Sequence, residues 1–151
     1  MEPIQIEITV NAPRDTIWRA WTESDQIATW FSPDASVEAR PGGKFELYFG
    51  PSNHDHECTK GCVFTLVEQL KNLGFTWKGP DQFADLMNEP IPSTSVLVSF
   101  FQEDGFTRVV VEHSGWGQGK EWEEARVWHE KAWLDVLGRL KSALESGVNR
   151  H

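Results

Sequence analysis

The side chains best suited to metal chemistry in this sequence lie in one short segment. His54, His56, Cys58 and Cys62 fall within nine residues, and two imidazoles with two thiolates are able to bind zinc in a tetrahedral arrangement. Their spacing is not the Cys-x-x-Cys pair of a zinc knuckle, and a short loop would have to bring all four side chains to one point. We therefore interpret the segment as a polar loop without a metal; a redox-active Cys58–Cys62 pair is an alternative.

Two further histidines could take part in acid–base catalysis. His113 lies between Glu112 and Ser114 on a predicted strand, and His129 lies on a predicted helix. A histidine titrates near neutral pH and can serve as a general acid or base. Ser114 has no nucleophile-elbow motif around it, and adjacent residues on a strand point to opposite faces. We assign no catalytic residue, and an enzyme that uses His113 or His129 with Glu112 is kept as an alternative.

A glycine-rich segment, Gly115 to Lys120, precedes the last predicted helix. Phosphate-binding loops occupy this kind of position, because the amides of a helix start point at the anion. The spacing fits neither GxGxxG nor GxxxxGK[ST], since Glu121 follows the lysine where a hydroxyl is required. We predict an ordinary turn and no nucleotide or other cofactor.

The charge balance and the apolar runs exclude several classes of partner. The chain has 14 basic and 23 acidic residues, a net charge of −9. This negative charge repels nucleic acids and anionic membranes, so neither is expected as a partner. The longest apolar runs, such as Val109–Val111, are far shorter than the roughly 20 residues that cross a bilayer. The start of the chain resembles no signal peptide, and two cysteines form no disulfide framework. We expect a cytoplasmic protein.

The order of the predicted elements indicates an α+β fold. Ile4–Val10 alternates apolar and polar residues, which predicts a half-buried strand, and Pro13 suits the start of the first of two short helices. Two-residue periodicity then predicts a series of antiparallel strands, the first of which begins at Val37. Between Lys120 and Glu145 apolar residues recur at intervals of three and four, which predicts one long helix.

Only this last helix is long enough to cover the apolar face of such a sheet. We therefore expect a curved antiparallel sheet of six to seven strands wrapped around the carboxy-terminal helix. Residues 1–151 contain no internal repeat or linker, so they are expected to form a single domain. Eight tryptophans and nine phenylalanines are available either to fill a core or to line an apolar cavity.

Six segments, in order, resemble the motifs of one known family. They are Ala12–Thr22, Trp30–Pro33, Pro41–Phe45, Phe75–Trp77, Thr107–Val109 with His113–Gly115, and Trp133–Leu137. The chain is identified by them as similar to the activator-of-heat-shock-ATPase-homologue-like (AHSA1-type) domains of the START and birch-pollen-allergen superfamily, also called SRPBCC. Ala132 stands where the family often has glycine, and the segment Pro51–Gly61 is distinctive.

The resemblance implies a helix-grip fold with an elongated cavity between the sheet and the long helix. Relatives use this cavity for lipids, steroids, polyketides or other apolar molecules; some catalyse cyclisation or dehydration, and others bind a chaperone. The eukaryotic co-chaperones carry an additional amino-terminal domain that these 151 residues do not include. A chaperone partner is therefore not expected.

On this fold, the alternation of the strands and the helical stripe direct a set of side chains inward, with His113 and His129 as the polar anchors. We predict that a small hydrophobic or aromatic molecule is bound by Phe45, Leu47, Phe49, Phe75, Trp77, Val109, Val111, His113, His129, Trp133 and Leu137. The expected role is that of a carrier, a sequestering protein or a sensor. In the opposing interpretation these side chains simply fill a close-packed core.

Two other classes of function and one assembly are retained as hypotheses. One class is a cyclase or hydrolase that uses the cavity histidines. The other is a co-chaperone-like module that binds a protein through the outer face of the sheet. The acidic, aromatic-rich composition suggests a homodimer.

Overall fold

Seven strands and a long helix make up most of the computed structural model, which describes residues 1–50 and 57–148, with side chains as far as residue 146. The elements, in order, are β1 (Ile4–Val10), α1 (Arg14–Thr22), α2 (Ser24–Ile27), β2 (Asp34–Val37), β3 (Phe45–Tyr48), β4 (Phe64–Glu68), β5 (Asn72–Trp77), a 3₁₀ turn (Asp81–Phe83), α3 (Ala84–Met87), β6 (Thr94–Glu103), β7 (Phe106–Ser114) and α4 (Lys120–Val148).

The strands form two antiparallel sheets that are joined along one edge. Five strands follow the order β1-β7-β6-β5-β4, and β2 pairs with β3. Isolated bridges join Lys44 to Val63 and Tyr48 to Cys58. The buried Thr59 completes the junction, because its hydroxyl donates to the carbonyl of Phe45 and accepts from the amide of Leu47, at 2.9 and 2.8 Å. The result is the mixed α+β, helix-grip architecture that the sequence predicts.

Helix α4 covers the sheet with the apolar stripe that the sequence predicts. Its buried residues are Ala125, His129, Trp133, Val136, Leu137 and Leu140. Two basic side chains fix the helix to β1 and the residues before it: the Arg126 guanidinium donates to the carbonyls of Glu2 and Pro3, at 2.8 and 3.0 Å, and Lys141 Nζ donates to the carbonyl of Thr9 in β1, at 2.7 Å. In the described part of the chain, no helix combines the length and apolarity needed to cross a bilayer.

Helices α1 and α2 close one end of the core with aromatic side chains. The rings of Trp21 and Trp30 meet edge to face at 4.8 Å, and Trp30 Nε1 donates to the carbonyl of Ala20 at 2.9 Å. The chain then turns into β2 directly after Pro33. The predicted strand start at Val37 is therefore wrong: β2 begins at Asp34 and ends at Val37, which pairs with Phe45.

Candidate ligand-binding site

A cavity of about 490 Å³ lies between α4 and the end of β5, and its size is within the range of small-molecule pockets, roughly 300–1,000 Å³. The connection between α2 and β2 and the residues that follow β3 complete its walls. The lining residues are Phe31, Pro33, Phe49, Glu57, Cys58, Trp77, Lys78, Gly79, Pro80, Trp128, His129, Ala132, Trp133, Asp135, Val136 and Arg139.

The wall at the end of β5 depends on a glycine. A side chain at Gly79 would place its Cβ 2.6 Å from Met87 Sδ and 3.4 Å from His129 Cε1, so the two side chains approach the backbone closely only because Gly79 has none. The Asn88 side chain holds this segment in place: its Oδ1 accepts from the amide of Gly79 and its Nδ2 donates to the carbonyl, at 2.8 and 3.0 Å.

Three aromatic side chains form the inner wall of the cavity. Phe31 stacks on Trp77 with ring centroids 6.1 Å apart, and Trp133 lies 5.5 Å from Phe31 and 5.6 Å from Trp77. All three are buried. At the mouth, Phe49 and Trp128 are exposed over 38 % and 40 % of their surface. The interior is thus aromatic, and the mouth leaves apolar surface open to solvent.

Charged side chains are confined to the rim of the cavity. Glu57, Lys78, Asp135 and Arg139 belong to the lining, and Arg139 forms an exposed ion pair with Asp135 one helical turn away. Such exposed pairs contribute little to stability. The arrangement suits an apolar guest with any charge left at the mouth.

Both ring nitrogens of His113 are occupied. Trp133 Nε1 donates to His113 Nδ1 at 3.0 Å, and His113 Nε2 lies 2.9 Å from Thr94 Oγ1. An indole nitrogen can only donate a hydrogen bond, so His113 Nδ1 is the acceptor. In the neutral ring the proton is then on Nε2, which donates a hydrogen bond to Thr94 Oγ1. Burial, and then the neighbouring His129, lower the pKa of His113 well below its ordinary value. His113 is therefore a neutral structural residue with no nitrogen left for catalysis.

The bonding of His129 is different. Its Nδ1 lies 2.8 Å from the carbonyl of Ala125, and a carbonyl only accepts, so Nδ1 carries the proton. Burial lowers the pKa of His129 to about 4, so the ring is neutral at pH 7 and Nε2 presents a lone pair. That nitrogen is buried without a hydrogen-bond partner, as is Nε1 of Trp77.

The structure divides the predicted site residues into two groups. Phe49, Trp77, His129 and Trp133 line the cavity. The other seven are fully buried behind that wall and are absent from the lining; we call them the sealed core: Phe45, Leu47, Phe75, Val109, Val111, His113 and Leu137.

The remaining lining residues were not among the predicted set, although some carried a usable signal. Ala132 and Val136 lie on the same helical stripe as His129 and Trp133, and Phe31 follows the buried Ile27 of α2 at a helical spacing of four residues. The segment Lys78–Pro80 and the exposed Trp128 gave no signal, because their position at the mouth follows from packing between distant elements.

The segment that was considered for metal binding is only partly described. His54 and His56 lie outside the described residues. Cys58 and Cys62 are both thiols, and burial raises the pKa of Cys62 to about 11, which disfavours the thiolate form that a metal or a redox reaction requires. Among the described residues, no three histidine, cysteine or acidic side chains come together as a metal site.

The glycine-rich segment before α4 is packed against the core. Gly115 has a φ of +98°, and a Cβ there would lie 2.6 Å from the carbonyl oxygen of Ser93. Its neighbour Trp116 is buried and donates from Nε1 to the carbonyl of His113 at 2.8 Å. The segment positions an aromatic side chain behind His113.

Solved structures with the same architecture cover nearly all of this chain. The solution structure of protein BH1534 from Bacillus halodurans shares 26% identity, with a TM-score of 0.71 and coverage of 94% of this chain and 96% of that one. The solution structure of the Aha1 dimer from Colwellia psychrerythraea gives 21% identity, a TM-score of 0.71 and coverage of 96% and 97%.

A third structure is DynU16, a putative protein in the dynemicin biosynthetic locus. It has 23% identity and a TM-score of 0.71 over 97% of this chain, which spans only 48% of DynU16. No curated protein matches the sequence.

The family model for Activator of Hsp90 ATPase homolog 1-like protein matches residues 11–145. The match begins just after β1 and extends almost to the end of α4, so it includes every element that lines the cavity. The chain therefore belongs to the Activator of Hsp90 ATPase homolog 1-like family, within the SRPBCC superfamily.

Proposed function

We propose that this protein binds a small hydrophobic or aromatic molecule in the cavity between α4 and β5, as a carrier, a sequestering protein or a sensor. The observation that carries the proposal is the cavity itself, about 490 Å³ with an inner wall of Phe31, Trp77 and Trp133. Binding of a guest that covers these apolar rings is favourable, because it removes apolar surface from water. The gain is roughly 25 cal/mol per Å² of apolar surface buried.

Four of the predicted residues are proposed as direct contacts of the guest. Trp77 and Trp133 supply flat faces, Phe49 covers the guest at the mouth, and His129 supplies a polar edge. The sealed core would support the wall from behind. No cofactor is required by this proposal.

The test uses a probe without any polar group. We expect 2-methylnaphthalene to bind with one-to-one stoichiometry and to shift the indole N–H signals of Trp77 and Trp133 in ¹H–¹⁵N spectra. Ala132→Phe should weaken binding at least about tenfold, because the new ring occupies the space of the guest. Leu134→Phe is the control, because it also introduces a phenylalanine ring on α4. Leu134 is exposed over 58 % of its surface and lies outside the cavity lining, so this variant should bind the probe as the wild type does.

Wild-type protein that gives no saturable shifts would contradict the proposal. Equal binding by the wild type and the correctly folded Ala132→Phe variant would place the probe elsewhere and contradict it as well. Circular dichroism and thermal unfolding establish that each variant is folded.

An enzyme of the cyclase or hydrolase kind is the second candidate, and one observation favours it. His129 lines the cavity, and its Nε2 is an acceptor nitrogen without a hydrogen-bond partner, which is one requirement of a general base. Because both nitrogens of His113 are occupied, this activity would fall to His129 alone. Consumption of a bound substrate that is lost in His129→Phe would establish it.

Assembly and location stay predictions. The Colwellia psychrerythraea relative was solved as a dimer. We propose a homodimer for this chain on the grounds of composition and this relative, and sedimentation at micromolar concentration tests it. A cytoplasmic location is likewise proposed.

A further inference from the structure

We infer that the guest of this cavity carries a hydroxyl group, which Trp77 Nε1 and His129 Nε2 recognise together. The inference rests on the proposed function, and it narrows the ligand from any apolar molecule to an apolar skeleton with one hydroxyl group.

The first observation is the position of unsatisfied polar atoms. In the described part of the chain, three buried side-chain nitrogens have no hydrogen-bond partner: Trp21 Nε1, Trp77 Nε1 and His129 Nε2. Two of these three belong to residues that line the cavity. Buried polar groups are nearly always paired, so two unpaired nitrogens in residues that line one cavity point to a partner that arrives with the guest.

The second observation is the chemistry of the two nitrogens. Trp77 Nε1 can only donate a hydrogen bond. His129 Nε2 can only accept one while the ring is neutral, because the proton is held on Nδ1 against the carbonyl of Ala125 at 2.8 Å. Two residues of the cavity wall therefore hold one unpaired donor and one unpaired acceptor.

A hydroxyl group matches this pair with a single oxygen atom, since it donates one hydrogen bond and accepts others. A carboxylate only accepts and an ammonium only donates, so each would leave one nitrogen unpaired. A primary amide does both, but it brings further polar sites to a wall of aromatic rings.

The inference sets a limit on the distance between the two nitrogens. The ring centroids of Trp77 and His129 are 6.4 Å apart. An oxygen that makes hydrogen bonds of about 2.8 Å to both nitrogens can join atoms separated by up to roughly 5.6 Å. The inference therefore requires Trp77 Nε1 and His129 Nε2 to lie on the facing sides of their rings when the guest is bound.

Access to the pair lies through the mouth. Both nitrogens are shielded from water, and the ring of Trp128 packs edge to face on His129 at a centroid distance of 4.8 Å. Trp128 is exposed over 40 % of its surface, and exposed side chains change rotamer within nanoseconds. The hydroxyl group reaches the pair as this ring moves aside.

The test compares two probes that differ only in the polar group. Full-length ¹⁵N-labelled protein is titrated with 2-naphthol and with 2-methylnaphthalene. We expect 2-naphthol to bind about tenfold more tightly and to move the Trp77 indole proton downfield, as a new hydrogen bond does. With 2-methylnaphthalene the same proton should not show that downfield change.

Matched variants locate the effect. Trp77→Phe and His129→Phe each remove one of the two nitrogens and should reduce the tenfold preference to about threefold or less. Trp30→Phe is the control: it removes a buried indole N–H that already donates to the carbonyl of Ala20 and lies outside the cavity lining, so the preference should persist. The ratio of two dissociation constants within one variant is insensitive to a general loss of affinity.

Each outcome has a defined meaning. Equal affinity of the two probes for the wild type overturns the hydroxyl inference and leaves the proposed function standing. A preference for 2-naphthol that survives in both Trp77→Phe and His129→Phe also overturns it. Binding of neither probe overturns the proposed function, and this inference with it.

Discussion

His113 and His129 lie side by side in the same core, with ring centroids 5.4 Å apart, and at most 1 % of either residue is exposed. Their bonding is opposite: His113 is paired at both nitrogens, and His129 is paired at one. Residue type and burial are therefore insufficient to identify a binding residue. The neighbouring residues make the difference. Thr94 and Trp133 form hydrogen bonds with both nitrogens of His113, whereas His129 borders the cavity.

The contrast between His113 and His129 extends to the other predicted site residues, which belong either to the sealed core or to the cavity wall. Phe45 and Phe75 stack at 3.8 Å within the sealed core, where they can only stabilise the fold. Phe49, two alternating positions beyond Phe45, reaches the mouth. Changes in the sealed core should act on stability, and changes at the cavity should act mainly on binding.

The largest effect on stability is expected from Phe75→Ala in the sealed core. The lost ring leaves a cavity in a close-packed region, so the free energy of unfolding should fall by about 3–5 kcal/mol. Phe49→Ala removes the same ring from the mouth and should cost less than about 1 kcal/mol. Urea unfolding at equilibrium measures both. A similar loss in the free energy of unfolding for the two variants would contradict the division between the sealed core and the cavity wall.

The next effect is a loss of stability in weak acid. In the unfolded chain both histidines titrate near pH 6.5, whereas burial holds the pKa of His129 at about 4 and that of His113 well below its ordinary value. Between pH 7 and 5 the unfolded state therefore binds more protons, and stability falls as the pH is lowered.

Each histidine should contribute about 2 kcal/mol to this loss. Urea unfolding at pH 7 and pH 5 measures it, and His129→Phe should remove about half. A free energy of unfolding that is independent of pH in this window would show that neither ring has a lowered pKa in the folded protein.

A third comparison uses the same substitution at two neighbouring tryptophans. Trp133→Phe removes the donor to His113 Nδ1 and leaves a buried acceptor unpaired, which should cost about 1–3 kcal/mol. Trp77→Phe removes a nitrogen that has no partner, so it should cost distinctly less. Thermal and urea unfolding rank the two variants, and the reverse order would refute the bonding described for His113.

The smallest effect on stability is expected at the rim. Trp128→Ala should change the free energy of unfolding by less than about 1 kcal/mol, because the ring is exposed over 40 % of its surface. It uncovers His129, however, so water should stabilise the charged imidazole and raise its pKa from about 4 towards the ordinary value. An NMR titration of the imidazole measures this shift; an unchanged pKa would mean that Trp128 does not shield the ring.

Much of the fold follows from periodicity. Strand β1 has the predicted bounds, Ile4–Val10, and the stripe of α4 is the buried one. These elements are predictable because a strand or helix that covers a core must repeat its apolar residues with the period of its own backbone.

The cavity follows from periodicity only in part. Phe45, Leu47 and Phe49 alternate on one face, yet Phe49 lies beyond the end of β3 and is exposed over 38 % of its surface. Alternation identifies the inward face of a strand but not the depth of a residue behind the mouth. The pairing of His113 likewise depends on Thr94 and Trp133, which come from two other elements.

One consequence of α4 concerns the shape of acceptable guests. The helix carries Trp133, which is tied through His113 to Thr94 on β6, so the gap between helix and sheet at the inner end is held at a constant width by directional bonds. At the outer end the boundary consists of Phe49 and Trp128, which can rotate into solvent. Such a pocket discriminates strongly against thicker guests and weakly against longer ones. Guests lengthened by several methylene groups should therefore still bind, whereas a single added branch should prevent binding.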